Sequence, residues 1–314
     1  MDTPSNAPSE VPTLSRARAL ALPQPALWNK LLSGNRDQIT SAVGQIDAVG
    51  QADEYALLLL AARRRKARRE RRLLGLIPFK TGYTERERRS ALQALILLWG
   101  PLGRDLAHAL DHRATHFERE HAHKGIIRRR DPRAVRALGD ALLGDYALED
   151  WQCIATLGTL ADLRAADMLL KYVGIDFNTD RPVAIAQEFG LEVGRALREL
   201  GANIGFDRAR QAIRAPLSRQ KIAAALIVAG WGDESLAPEL TPLLDDPDPQ
   251  VRVAAINAIG ELRAAASLIP LQTTVNDPDP QVRLAVERAL QLVQTANAQR
   301  AVKAGKRVRR ADAV

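Results

Sequence analysis

The heptapeptide Asp-Pro-Asp-Pro-Gln-Val-Arg occurs twice, at Asp246–Arg252 and at Asp277–Arg283, with an offset of 31 residues. A fixed period of that length means stacked helical hairpins, because one such unit cannot bury its apolar face alone. The Asp-Pro-Asp-Pro segment stops the preceding helix, since Pro lacks an N–H and biases its predecessor away from the right-handed helical region. Asp248 is placed to cap the next helix and Pro249 to open it. That helix then sets Val251, Ala255, Ala258, Ile259 and Leu262 on one stripe at the 3.6 period. Gly260 and Ala264–Ala266 suit a tight hairpin, and a second helix is predicted with Leu268, Leu271 and Val275 on one face.

Weaker copies run upstream. Ile154–Leu160 echoes Ile256–Leu262, and Ala42–Ile46 echoes Ala258–Leu262. Leu95–Leu110, with a turn at Trp99-Gly100, echoes Leu226–Leu240 with its turn at Trp231-Gly232. The two Trp residues read as packing anchors at these turns. Apolar residues are abundant at 46%, but aromatics are only 4%; the excess is Ala and Leu, which favour helix, and runs of strand formers are scarce. At 314 residues the chain is too long for one ordinary core and suits two domains or one extended array. The expectation is an all-α fold, an α-solenoid of stacked antiparallel hairpins with roughly six to seven repeats. The hairpins fall near 35–62, 84–123, 132–173, 182–214, 218–245, 248–276 and 279–297. Residues 1–26, rich in Pro, Ser and Ala, read as an N-terminal arm; 27–297 as the array; and 298–314 as a basic tail.

The stretch Asp246–Leu262, Asp-Pro-Asp-x-x-Val-Arg-x-x-Ala-x-x-Ala-Ile-Gly-Glu-Leu, resembles the HEAT repeat, and within it the variant seen in phycobilisome-lyase-type HEAT-like proteins. The resemblance implies that Asp246, Arg252, Asp277 and Arg283 form a polar ladder between successive repeats, structural in role. Gln291 stands where the motif has Gly, which suits a capping repeat with a more polar face. HEAT-like iron hydroxylases carry repeated His-Glu dipeptides as ligands. This sequence contains none, which argues against that enzyme class. A HEAT-like DNA glycosylase family uses Trp and Asp residues whose spacing is not found here.

All five histidines lie between 108 and 123. His108 and His112, one turn apart, could share a metal ion; His116 at i+8 is about 12 Å along the axis and could not join them. Placed on one helix, His108, His112, His116 and His123 share a flank opposite Leu102, Leu106, Leu110 and Phe117, so they are expected to face solvent and to bind metal weakly at most. The single cysteine, Cys153, sits in an apolar stretch and reads as a core residue. No Gly-rich phosphate loop, Cys-x-x-Cys or Gly-x-Ser-x-Gly occurs, and no cofactor and no catalytic set is implied.

The net charge of +8 is concentrated. Residues 63–89 carry +9 and residues 300–314 carry +5, so the remainder is −6. The sharpest run is Arg63, Arg64, Arg65, Lys66, Arg68, Arg69, Arg71 and Arg72, interrupted by Ala67 and Glu70. A helix there would carry cations on every side. Such a run is a solvated extension between hairpins, a site for an anionic partner (RNA, DNA or an acidic protein surface), or a membrane-surface contact through its flanking Leu residues, the last the least favoured. Only Phe79 and Tyr83 lie near to stack on bases. The N-terminus has no apolar core of a leader peptide, and no apolar run is long enough for a membrane span, so a cytoplasmic protein is expected. The leading functional reading is a scaffold whose concave face holds another protein; the alternatives are a nucleic-acid or ribosome-associated binder using 63–72 and a lyase-type or repair-type enzyme or accessory factor on the same scaffold.

Overall fold

The computed structural model describes residues 24–64, 83–111, 113–144, 150–175 and 182–311, with backbone alone for Arg64 and 304–311. The fold is all-α, and the described residues contain no strand. The chain divides into two units, Met1–Arg129 and Arg130–Val314.

The first unit holds α1 (Pro25–Leu31), α2 (Arg36–Ala48), α3 (Ala52–Arg64), α4 (Glu85–Ala109) and α5 (His116–Arg129). Asn35 starts α2 by accepting from the amides of Asp37 and Gln38 at 2.9 and 3.2 Å. Its apolar stripe, Ile39, Ala42, Val43 and Ile46, is buried. Thr84 and Glu87 form a reciprocal capping box that starts α4. That helix breaks at Gly100, whose φ of +59° is open to glycine, and Pro101 restarts it. The Trp99-Gly100 turn read from the sequence is therefore a real reversal. Trp99 is 4% exposed there, and its indole N–H donates to Asp53 Oδ1 at 2.7 Å.

The second unit holds α6 (Pro132–Leu143), α7 (Asp150–Thr159), α8 (Arg164–Tyr172), α9 (Val183–Leu200), α10 (Asn203–Gln211), α11 (Ser218–Trp231), α12 (Ala237–Leu240), α13 (Pro249–Leu262), α14 (Leu268–Thr273) and α15 (Pro280–Ala311). Helices α7, α9, α11, α13 and α15 pack each on the next, and the intervening shorter helices flank them. An inner helix with neighbours on two sides must be apolar nearly all round. Helix α11 is the case in point: every residue from Ile222 to Ala229 is buried. Close approach is set by small residues. A Cβ on Gly194 would run into the Ile227 carbonyl and lie 2.8 Å from the Gly230 Cα. Cys153 is buried in α7.

The repeat helix α13 follows the sequence reading closely. Asp248 caps it by accepting from the Gln250 amide at 2.9 Å, Pro249 opens it, and its stripe from Val251 to Leu262 is buried. Three expectations need correction. Gly260 is no hinge: it faces Ala289 on α15, where a Cβ would lie 3.0 Å from the Ala289 Cα. The second helix of this repeat ends at Thr273, and Val275, expected on its buried face, is 41% exposed. The final helix continues through Ala311, past the boundary at 298 assigned to a tail. No helix among the described residues is long and apolar enough to cross a membrane.

Candidate binding groove

The sequence-read site residues scatter. Of the basic run, Arg65, Lys66, Arg68, Arg69, Arg71 and Arg72 lie outside the described residues, as does the side chain of Arg64. Arg63 does not belong with them. It is 7% exposed, at the end of α3. Its Nη2 donates to Asp111 Oδ2 at 2.9 Å, and its Nη1 to the Arg88 carbonyl at 2.6 Å. Arg88 Nη2 reaches the other oxygen, Asp111 Oδ1, at 2.7 Å, and the Arg113 amide donates to that same oxygen. Burial lowers the Arg63 guanidinium from its ordinary range; Asp111 opposes this and Arg88 adds to it. Burial would raise the Asp111 carboxyl, but the Arg113 amide and the two guanidiniums outweigh it and hold the group below the usual carboxylate range. A local charge count misses this, because Asp111 lies 48 residues downstream.

The histidine wheel also breaks. Helix α4 ends at Ala109 and α5 begins at His116, so His108 and His116 do not share a helix, and His112 lies outside the described residues. His123, expected to face solvent, is 6% exposed, whereas Phe117, expected on the apolar face, is 74% exposed. Among the described residues no three His, Cys, Asp or Glu side chains come together in a way that could hold a metal.

The ladder is present in the second unit. Arg252 forks onto Asp277 of the next repeat, with Nε and Nη2 each at 2.9 Å, and its Nη1 turns back to the Asp246 carbonyl at 2.8 Å. Asp277 Oδ1 also accepts from the Asp279 amide at 2.9 Å. One repeat earlier the cation is Lys221, whose Nζ lies 2.6 Å from Asp246 Oδ2. Arg283 repeats the seating of Arg252, with Nη1 on the carbonyls of Asp277 and Pro278 at 2.7 and 3.0 Å.

Beside the Lys221–Asp246 rung lies a groove of about 770 Å³. Helix α10 and the turn after it supply Arg210, Ile213, Arg214, Ala215 and Pro216; α12 and the 3₁₀ turn Thr241–Asp245 supply Pro238, Glu239, Pro242 and Leu243. The prolines explain the opening. They shorten the second helix of this repeat to the four residues of α12, so the two successive repeats leave a cleft where longer helices would have closed it. Arg210 spans it, with Nε and Nη2 on the two Glu239 oxygens at 2.7 Å. The groove lining thus mixes apolar residues with ion-paired ones. A second depression of about 550 Å³ is lined by Arg198, Trp231, Gly232, Asp233, Glu234, Leu262 and Arg300, beside Trp231 stacked on Phe206 with ring centres 4.0 Å apart. Other surface cations of this unit are paired too: Arg133 with Asp131, Arg164 with Asp162, Arg208 with Asp167 and Arg300 with Glu234. Neither the groove nor Lys221 was legible in the sequence; the cluster Pro216, Pro238, Pro242 was the available signal.

The groove and the ladder fall within the part of the chain, residues 206–291, that matches the family model described as HEAT repeats. These residues are HEAT repeats. The HEAT region therefore includes α11, α13 and the ladder. No curated protein matches the chain. Among solved structures the chain is similar to human deoxyhypusine hydroxylase in complex with glycerol, at 16% identity over 80% of this chain and 99% of that one, with a TM-score of 0.30. A score that low carries the comparison no further.

Proposed function

We propose that the chain is a binding scaffold whose HEAT repeats hold a segment of another protein in the groove between α10 and α12. The observation that carries the reading is the groove itself: a cleft lined by Ile213, Pro216, Pro242 and Leu243 together with the Arg210–Glu239 and Lys221–Asp246 pairs. Apolar contact supplies affinity and fixed polar groups supply register in such sites. The groove lining carries Arg210, Arg214 and Lys221 against Asp207, Glu239 and Asp246, a balance of charge that supports a protein rather than a nucleic acid as the occupant here. Exposed Leu163, Ile204 and Ile269, each at the start of the second helix of a hairpin, add apolar contact points along the array. The test is affinity purification of the intact chain from its native cell, with and without nuclease, beside the groove variant Pro216→Arg, Pro242→Arg. Protein partners that survive nuclease and are lost in the variant support the reading. Partners unaffected by the variant would remove the groove.

A second reading attaches to Arg64–Arg72, with seven cations and one Glu in nine positions. A run so charged is self-repulsive and favours an anionic partner such as RNA or DNA.

A further inference from the structure

The ladder has a rung with only one side filled. Arg252 uses Nη1 to hold its own loop and offers Nε and Nη2 as a fork, which Asp277 fills. Arg283 is seated in the same way on the carbonyls of Asp277 and Pro278, and so its guanidinium is fixed in place. No acceptor among the described residues lies on its Nε or Nη2. The side chain is exposed, at the start of α15.

We infer that this open fork, with the exposed side chains beside it at the start of α15, is a docking site for an acidic protein segment, one of whose carboxylates takes the position Asp277 takes on Arg252. This deepens the scaffold reading and rests on it, but it uses residues outside the groove. Three observations select the occupant. The equivalent fork within the array is filled by a carboxylate, and a planar guanidinium fork matches that group in two parallel bonds. Among the described side chains of α15, Arg283, Arg288 and Lys303 stand against the single Glu287, with Arg300 already paired with Glu234, so the charge beside the fork favours an acidic partner. A second copy of the chain stacked as a further repeat does not fit: Gln291 stands in the place of Gly260, the position at which α13 and α15 approach closely through Ala289. Leu284 beside the fork, 41% exposed, gives the segment an apolar contact.

Fluorescence anisotropy with the full chain tests this. The probes are a labelled Asp/Glu-rich peptide, its Asn/Gln counterpart, and a single-stranded oligonucleotide of equal charge. The proteins are wild type, Arg283→Gln, Arg283→Lys and Arg288→Gln, with thermal melts to confirm folding. Arg283→Gln is expected to weaken the acidic peptide about tenfold, the scale of one lost charge-assisted fork. Arg283→Lys should recover only part of it, since one ammonium cannot fork. Arg288→Gln removes the same charge from the same helix and should change binding by less than about twofold. Equal losses in Arg283→Gln and Arg288→Gln would reduce the effect to general charge and overturn the site. Tighter binding of the oligonucleotide than of the peptide would overturn the carboxylate assignment. Either result leaves the groove reading standing, because the Pro216→Arg, Pro242→Arg variant tests that separately.

Discussion

Arg252 on α13 and Asp277 in the loop before α15 hold each other through two parallel bonds of 2.9 Å, while the same guanidinium closes its own loop on the Asp246 carbonyl. One side chain therefore fixes both the turn that starts its repeat and the distance to the next. Neither group is freely solvated, with side-chain exposures of 11% and 8%, so breaking the pair by removing one partner costs more than breaking a surface ion pair.

Removing Asp277 should cost more than altering Arg252. Asp277→Ala leaves the guanidinium without its partner and the Asp279 amide without its acceptor, a loss of about 3 kcal/mol. Arg252→Lys keeps the charge but loses the fork, about 1.5–3 kcal/mol. Hydrogen exchange should show the damage confined to α13, α14 and α15, because energetics in a stacked array run between nearest neighbours. Uniform loss across the second unit would contradict that.

The same pair predicts a pH dependence. Burial would raise the Asp277 carboxyl, but the Arg252 fork and the Asp279 amide outweigh burial and lower it. A carboxyl held lower in the folded state than in the unfolded one stabilises fully above the ordinary carboxylate range, and this contribution is lost as pH falls through the folded value. Urea midpoints should therefore drop below about pH 4 in the wild type. Asp277→Asn should flatten that drop, and an identical acid profile in the variant would refute the linkage.

In the first unit, Asp111 should matter more than Arg63. Among the described residues the buried cluster brings two guanidiniums, Arg63 and Arg88, onto one carboxylate, Asp111. Asp111→Ala takes from two buried cations the carboxylate that both of them bond, at about 3–5 kcal/mol. Arg63→Met leaves the Arg88–Asp111 pair and replaces a side chain whose Nε has no partner among the described residues, at about 1 kcal/mol or less. Thermal melts of the two variants decide the order, and a greater loss in Arg63→Met would reverse the argument.

What the sequence made legible follows from the range of each signal. Periodicity along one helix located the stripe from Val251 to Leu262, and the Asp-Pro pairs located the cap at Asp248, since both are written within a few residues. Periodicity does not say how near the neighbouring helix comes, so Gly260 was read as a turn residue although it marks a crossing. It does not see a partner far along the chain, so Arg63 was grouped with Arg64–Arg72 by adjacency although Asp111 draws it inside. The histidine wheel failed because it assumed one helix across the break between Ala109 and His116. The groove depends on two prolines shortening α12, an effect on tertiary packing that no single-helix pattern contains.

Gly194→Val tests the close crossing of α9 on α11. Its side chain would meet the Ile227 carbonyl and the Gly230 backbone, groups that cannot rotate away. The helices must move apart, costing about 1–3 kcal/mol from overpacking. Gly201→Ala is the control: nothing lies within 4 Å of a Cβ there, and its cost is the local strain of φ +65° alone. Gly194→Val should also reduce hydrogen-exchange protection in both α9 and α11, whereas Gly201→Ala should affect only the end of α9. Matching profiles would deny the crossing its role.

The basic run is best tested with Arg63 left intact. Changing Arg64, Arg65, Arg68, Arg69, Arg71 and Arg72 to Gln removes most of the local charge, while Arg63 stays paired with Asp111 and the first unit keeps its buried cluster. Wild type should bind RNA and DNA of unrelated sequence alike, because phosphate contacts carry no base information and few aromatic or amide side chains lie nearby. Neutralising about four to six phosphates gives a log–log slope against salt of about −4 to −5 on duplex DNA. The six-site variant should lose this binding and melt as wild type does. Arg63→Gln alone should do the opposite, keeping the binding and its salt slope while lowering the melting temperature. Fluorescence anisotropy across a salt series, with melts alongside, separates the two. Loss of binding in Arg63→Gln without loss of stability would return Arg63 to the run. Unchanged affinity in the six-site variant would remove the run as a nucleic-acid site.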